Sequence, residues 1–347
     1  QLNENYRNAN LRVSVSTDLV NRLVPGEQKE TLPVDDVIMG TPTVGCSETV
    51  STVRVRCLPS PETWRLELAA SGEVVSETRS YRGPATLFSQ GNAVFRAEKQ
   101  LVVDPHGVRQ SSTNAVADSE ACLTGVSTNL DRVPLLGDLV QAVATQRYQS
   151  QSRQAEREVR NRVACHAQTR FDDEVNQQLE QIASQFIERF YQPMETLALN
   201  PLALEMRTTN RRMIARYRLA GHHQLAANTP RPIAPSDSLL SLQIHQSALN
   251  NVIEQLDWQG RTIGLQQLYT ELTERFRLGD GHMPEDFPED VTLRFAAEDP
   301  VRFVLEDGRM AIEISLVELK QGRRGWKNFT VRVFYEPALD DPQADLV

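Results

Sequence analysis

Val13-Ser-Val-Ser-Thr-Asp-Leu-Val-Asn-Arg-Leu-Val24 changes its period half-way. Its first residues alternate apolar and polar, as a half-buried strand does, and Leu19, Val20, Leu23 and Val24 then take up helical spacing. Ser16-Thr17-Asp18 at the junction supplies side-chain oxygens that cap a helix start, and Pro25-Gly26 ends the helix. The pattern returns without a gap in Leu242-Gln-Ile-His-Gln-Ser-Ala-Leu-Asn-Asn-Val-Ile253, with Asn250 falling on Asn21. Two strand-to-helix openings are predicted. A duplication into two related halves accounts for them, and so does convergence on a common local pattern.

Working outward, Val53, Val55 and Cys57, then Trp64, Leu66 and Leu68, alternate like strands, with Ser71-Gly72 and Gly91-Asn92 read as turns. From about Val34 to Val108 this predicts an antiparallel meander of short strands. Beyond Asp131 and Pro134 the period becomes helical as far as Tyr191. The apolar residues Ala155, Val159, Val163, Ala167, Phe171, Val175 and Leu179 are four apart, so the stripe turns by about 40° per step around a straight helix. Thr169 followed by Asp172-Asp173-Glu174 resembles a capping box, and two consecutive helices are expected. Gln146 to Arg162 is polar on nearly every side, which predicts an arm in solvent or against a partner.

After Pro193 strands return, with Met213, Ala215, Tyr217 and Leu219 on one face, followed by the Pro230, Pro232 and Pro235 connection. Helices are predicted around Ser247–Leu256 and Leu268–Phe276, then a last meander with a hairpin turn at Asp307-Gly308. The fold class is α+β, antiparallel β-meanders packed with long amphipathic helices. The segments are 1–130 (strand, helix, meander), 131–193 (long helical segment) and 194–347 (strand, helix, meander).

At 347 residues the chain can bury a substantial core. Its net charge of -9 opposes wholesale binding to a phosphate backbone, because that affinity comes from clustered Lys and Arg displacing counterions; nucleic acid is not an expected partner. No apolar run reaches the roughly 18 residues of a membrane-spanning helix. The first residue, Gln1, fits a processed mature protein or a trimmed one.

Four cysteines, Cys46, Cys57, Cys122 and Cys165, include no C-x-x-C pair, which disfavours structural zinc. Their even number allows two disulfides. The simplest pairing closes a hairpin with Cys46 and Cys57 and pins Cys122 to Cys165; four buried free thiols is the alternative.

The sequence contains no nucleophile elbow, P-loop, dinucleotide fingerprint, zinc helix or EF-hand loop, so no catalytic residue, cofactor or metal ligand is assigned. His222-His223 and Cys165-His166 are adjacent pairs whose side chains diverge in a strand or helix. The acidic stretch Asp280 to Asp290 matches no calcium-loop spacing. Arg212, Arg216 and Arg218, together with Arg323 and Arg324, form a candidate patch for an anionic headgroup or acidic partner.

The strand, Ser-bearing turn and Leu-Asn helix at 13–24 and 242–253 resemble the opening of the tubular lipid-binding superfamily, the bactericidal permeability-increasing-like proteins and their bacterial lipoprotein relatives. The overall style also looks like that of uncharacterised exported bacterial proteins. The first resemblance implies a twisted sheet wrapped around a long helix with an apolar groove for acyl chains, here bordered by Leu19, Leu23, Leu249 and Val252. The expected function is a noncatalytic, periplasmic or secreted binding module for a lipid or other hydrophobic ligand. The alternative is a structural or protein-interaction component of the cell envelope.

Overall fold

Alternating sequence forms strands far longer than its glycines suggest. In the computed structural model, which describes residues 8–83, 85–129, 136–197, 199–227, 237–276, 283–284, 286–306 and 308–336, one sheet joins β2 (Gln28–Ile38), β3 (Thr41–Leu58), β4 (Trp64–Arg82) and β5 (Ala85–Asp104). The far edge of β5 carries β6 (Gly107–Gln110) and β7 (Asn114–Thr128). All pairs are antiparallel. At 18, 19 and 20 residues, β3, β4 and β5 each extend about 60 Å.

Gly72 and Gly91, expected in turns, lie in mid-strand, opposite Phe95 and Ser76. A Cβ on Gly72 would fall 2.6 Å from the Phe95 ring and 2.7 Å from the Val50 carbonyl oxygen. The glycine marks a close approach, with the ring lying over the bare backbone.

A four-stranded sheet orders β10 (Leu240–Ile244), β1 (Leu11–Ser16), β9 (Arg212–Ala220) and β8 (Asn200–Thr208). It meets the long sheet through the Ser60–Thr208 bridge and a 2.8 Å hydrogen bond from Trp64 Nε1 to the Ile214 carbonyl. The third sheet contains β11 (Thr262–Gly264), β12 (Val291–Phe295), β13 (Val301–Glu306), β14 (Arg309–Gln321) and β15 (Arg324–Tyr335). Gly308, at φ 76°, sits in the β13–β14 turn; Asp307, like Asp131, Pro134 and the three prolines at 230, 232 and 235, lies outside the described residues.

The quoted stretches become β1 with α1 (Thr17–Leu23) and β10 with α4 (Gln246–Glu254). Ser16 caps α1 by accepting from the Leu19 N–H, and His245 caps α4 by accepting from the Ser247 N–H. The strands pair as Leu11–Ile244, Val13–Leu242 and Val15–Leu240, so the two stretches are related by a local two-fold through Val13 and Leu242.

Helix α2 (Leu136–Phe186) continues through a π-turn at Ile187–Tyr191 into α3 (Gln192–Thr196). The break expected at Thr169–Glu174 does not occur. Asp172, one of the expected capping residues, bonds Lys99 and Thr113 across the sheet instead. Nor is the long helix broadly amphipathic; its apolar seam is narrow, and residues 180–189 are exposed on all sides. No helix among the described residues is long and apolar enough to cross a membrane.

The third sheet closes on a filled core. Trp258 stacks on Phe295 at 5.4 Å, with Leu256, Ile263, Leu293 and Leu316 buried around them. Helix α5 (Leu265–Phe276) contributes Leu265, Leu268, Leu272 and Phe276 to this core.

All four cysteines are free thiols, against the disulfide expectation. Cys46 and Cys57 lie on the same strand, β3, roughly 35 Å apart along its run, whereas a disulfide needs Cα atoms within about 7 Å. Cys122 lies near Tyr148, and Cys165 is 17 residues along α2 from Tyr148, or about 25 Å. Burial pushes the Cys57 thiol up, opposed by a hydrogen bond from Thr17. Thiol titration of unfolded, never-reduced protein is expected to find four reactive groups; two or none would restore the cross-links.

Candidate hydrophobic binding site

Beneath α2 the long sheet curls into a trough, and the space between is a cavity of about 1000 Å³. Its floor follows from the pairing register. One rung across the sheet reads Ser47, Ser76, Gly91, Ala121, and the next Thr49, Val74, Ala93, Ser119. All eight line the cavity. Side chains this small cannot span the gap to a helix, so the packing that would close an ordinary α/β interface is missing along this stretch. Farther along, where Phe171 and Val175 of the helix meet Ala70, Ala97 and Leu101, the space is filled and buried.

The ceiling is the seam of α2, including Val140, Val143, Ala144, Ala155, Val159 and Val163. Some floor hydroxyls are turned to protein partners. Thr43 and Ser80 share a 2.8 Å hydrogen bond, and Ser119 donates to the Glu156 carbonyl at 3.0 Å. Burial raises the Tyr148 hydroxyl, with a hydrogen bond to Ser89 opposing it. The lining is mainly apolar, with hydroxyls on the floor and charged side chains such as Glu30, Asp36, Arg147 and Arg170 also bordering the space.

The two long sides of the cavity are held differently. On the β7 side Ser119 donates to the Glu156 carbonyl and Arg160 pairs with Asp118. Past the end of the cavity Lys99 of β5 and Thr113 each lie 2.5 Å from the Asp172 carboxylate, while Gln110 of β6 donates to Asn176 at 2.9 Å. On the β2 side the links run through long charged side chains: Arg162 pairs with Asp36, Arg170 pairs with Glu30, and Glu158 accepts from the Met39 N–H at 3.1 Å. Exposed ion pairs contribute roughly 0–1 kcal/mol each, so the β2 seam is the weaker one.

No protein-family model and no curated protein matches the chain. Among solved structures it is similar to a lipopolysaccharide binding protein, over 94% of this chain and 76% of that one, at 11% identity and a TM-score of 0.30.

The residues expected to border a groove lie elsewhere. Leu19 and Leu23 are on α1, Leu23 being 76% exposed, and Leu249 and Val252 are on α4, with Val252 against the filled core. None is among the residues lining the cavity. The polar stretch 146–162 is tied down by Glu158 and Arg162 rather than projecting. Arg212, Arg216 and Arg218 are half-buried on β9, while Arg323 and Arg324 are exposed in the β14–β15 hairpin, so the five do not form one patch. Cys165 and His166 lie on the cavity wall with no hydrogen bond between them, and His222 and His223 are exposed in a turn. Asp280–His282 and Glu285 lie outside the described residues.

Sequence reasoning missed the floor. Its signal was present as Ser, Thr, Ala and Gly at most alternate positions along part of β3, β4, β5 and β7, with Val74 and Leu87 among them, a pattern easily taken for the solvent side of a half-buried sheet.

Proposed function

We propose that this chain is a noncatalytic binding module that holds an elongated hydrophobic ligand, such as a lipid acyl chain, between the long sheet and α2. The observation carrying this is the cavity of about 1000 Å³ floored by small side chains. It lies at the upper end of the 300–1,000 Å³ typical of small-molecule pockets, and most ligand surface placed there would leave water for methyl and methylene groups. The weaker β2 seam gives such a ligand a way in. A periplasmic or secreted setting belongs to the same proposal, resting on the family resemblance.

Native mass spectrometry of protein from its own host, followed by solvent extraction, is expected to recover a stoichiometric acyl-containing species. Ala93→Trp and Val159→Trp place indoles in the lumen and are expected to reduce ligand occupancy at least tenfold while the circular dichroism stays native. Recovery of no ligand, with no binding of fluorescent fatty acids by delipidated protein, would remove the carrier reading.

A further inference from the structure

We propose that the ligand enters and leaves the cavity sideways, through a window between β2 and α2 latched by two ion pairs, Glu30 with Arg170 and Asp36 with Arg162. This rests on the cavity being a hydrophobic binding site; what it adds is the control of exchange.

The window follows from two periodicities. Glu30, Leu32, Val34 and Asp36 are alternate residues of β2, so they share one face of the strand, and all four line the cavity. Arg162, His166 and Arg170 are four apart on α2, so they share one face of the helix, and they line the cavity too. The ion pairs join the ends of the two rows, and strand and helix pass in opposite directions. Leu32 and Val34 form the sill between the posts, and His166 stands above them. About 20 Å of strand and about 12 Å of helix separate the posts. Among the described residues, the hydrogen bonds and ion pairs that join β2 and its turn to α2 lie at the posts or beyond Asp36. The frame is fastened at its ends and not in its middle.

The strand that forms the sill is also the one able to give way. Among the described strands β2 pairs with β3 alone, as the edge of the long sheet, and no β2 residue belongs to a buried apolar cluster. Beyond Asp36 its outer edge is held by side chains of the helix. Arg162 donates to the Val37 carbonyl at 2.8 Å, Glu158 accepts from the Met39 N–H at 3.1 Å, and the two bond each other at 2.7 Å. Water solvates such exposed charges as they part, so the seam separates at small cost. Across the cavity the Ser119 hydroxyl bonds the helix backbone itself, at the Glu156 carbonyl, and no side-chain movement on α2 releases that bond.

The test compares the two long sides. Cys46→Ser, Cys122→Ser and Cys165→Ser remove the exposed thiols. In that background Asp36→Cys with Arg162→Cys places thiols across the β2 seam, and Asp118→Cys with Arg160→Cys places them across the β7 seam, at another ion pair. A short bismaleimide bridges each, circular dichroism checks the fold, and stopped flow follows exchange of an anthroyloxy-labelled stearate. Bridging the β2 seam is expected to slow binding and release by about tenfold or more, as locking a lid does, and bridging the β7 seam to change them less than about twofold. Without a bridge, Glu30→Gln with Asp36→Asn should speed both rates by roughly three- to tenfold, the range open to two exposed pairs. Raising the ionic strength from about 0.05 to about 0.5 M should speed exchange in the wild type and much less in that double variant, whose pairs are already broken. Slowing by both bridges equally, or by neither, overturns the window; the second result places the route at the end of the trough near Val140. Failure of the stearate to bind the unbridged protein at equilibrium removes the carrier reading, and the window with it.

Discussion

Asp172→Ala is expected to destabilise the protein by roughly 3 kcal/mol or more, the cost of leaving a buried charge without its partner. Lys99 is only 5% exposed, and its ammonium lies 2.5 Å from the Asp172 carboxylate, which also accepts from Thr113. Removing the carboxylate leaves the ammonium under α2 with no described counter-charge. Replacing both partners together, as Lys99→Met with Asp172→Leu, exchanges the pair for apolar volume and should recover most of the loss. Urea unfolding of the two single variants and the double variant measures this. If Asp172→Ala unfolds within about 1 kcal/mol of wild type, the contact behaves as a surface ion pair and does not anchor the helix.

The same contact gives stability a pH dependence of known sign. Burial works to raise the Asp172 carboxyl, but hydrogen bonds from Lys99 and Thr113 and the Lys99 charge outweigh it and hold the group below the usual carboxylate range. Since the folded value lies below the unfolded one, the unfolded chain binds the proton more readily, and stability falls as the pH is lowered. The contribution is complete above the ordinary Asp value of about 3.9 and is lost as pH drops through the folded value. Asp172→Ala should therefore flatten the acid limb of the stability curve, while the limb near neutral pH keeps its shape.

What was legible in the sequence, and what was not, divides by the range of the cause. Ser16 as a cap and the alternation of Met213, Ala215, Tyr217 and Leu219 depend on neighbours a few residues away, and the structure keeps them. Gly72 misleads because a glycine that makes a turn and a glycine that admits Phe95 from the next strand are the same residue locally. Thr169–Glu174 misleads because Asp172 has a better partner 73 positions away. The cysteine pairing fails for a related reason, since proximity in sequence along one extended strand is distance in space. The cavity was the hardest to see. It exists because small residues on four strands fall in register, and register is a property of the sheet rather than of any segment.

Asn21 and Asn250 carry the one correspondence in the sequence that reappears atom for atom, and their removal gives the second large expected effect. The Asn21 side-chain amide donates to the Val55 carbonyl and accepts from the Val55 N–H, both at 2.8 Å. Asn250 makes the same two bonds to Phe303, at 3.0 and 2.7 Å. In both places a helix is thereby fastened to a strand of the adjoining sheet, with the amide standing in for a peptide group. Alanine at either site strips one N–H and one C=O of their partners, and at roughly 1–3 kcal/mol for each unsatisfied group either variant is expected to lose about 2–4 kcal/mol. Asp is the sharper control: Asn250→Asp keeps the shape and the acceptor but cannot donate to the Phe303 carbonyl, so it should recover little. The two sites fasten helices to different sheets, so the losses in the double alanine variant should add within about 0.5 kcal/mol, as for sites sharing no partner. Hydrogen exchange at the Val55 and Phe303 amides reads each anchor separately. If Asn21→Ala accelerates exchange at Val55 no more than at distant strand positions, the bidentate contact does not hold α1, and the likeness between the two strand-to-helix stretches is one of sequence pattern alone.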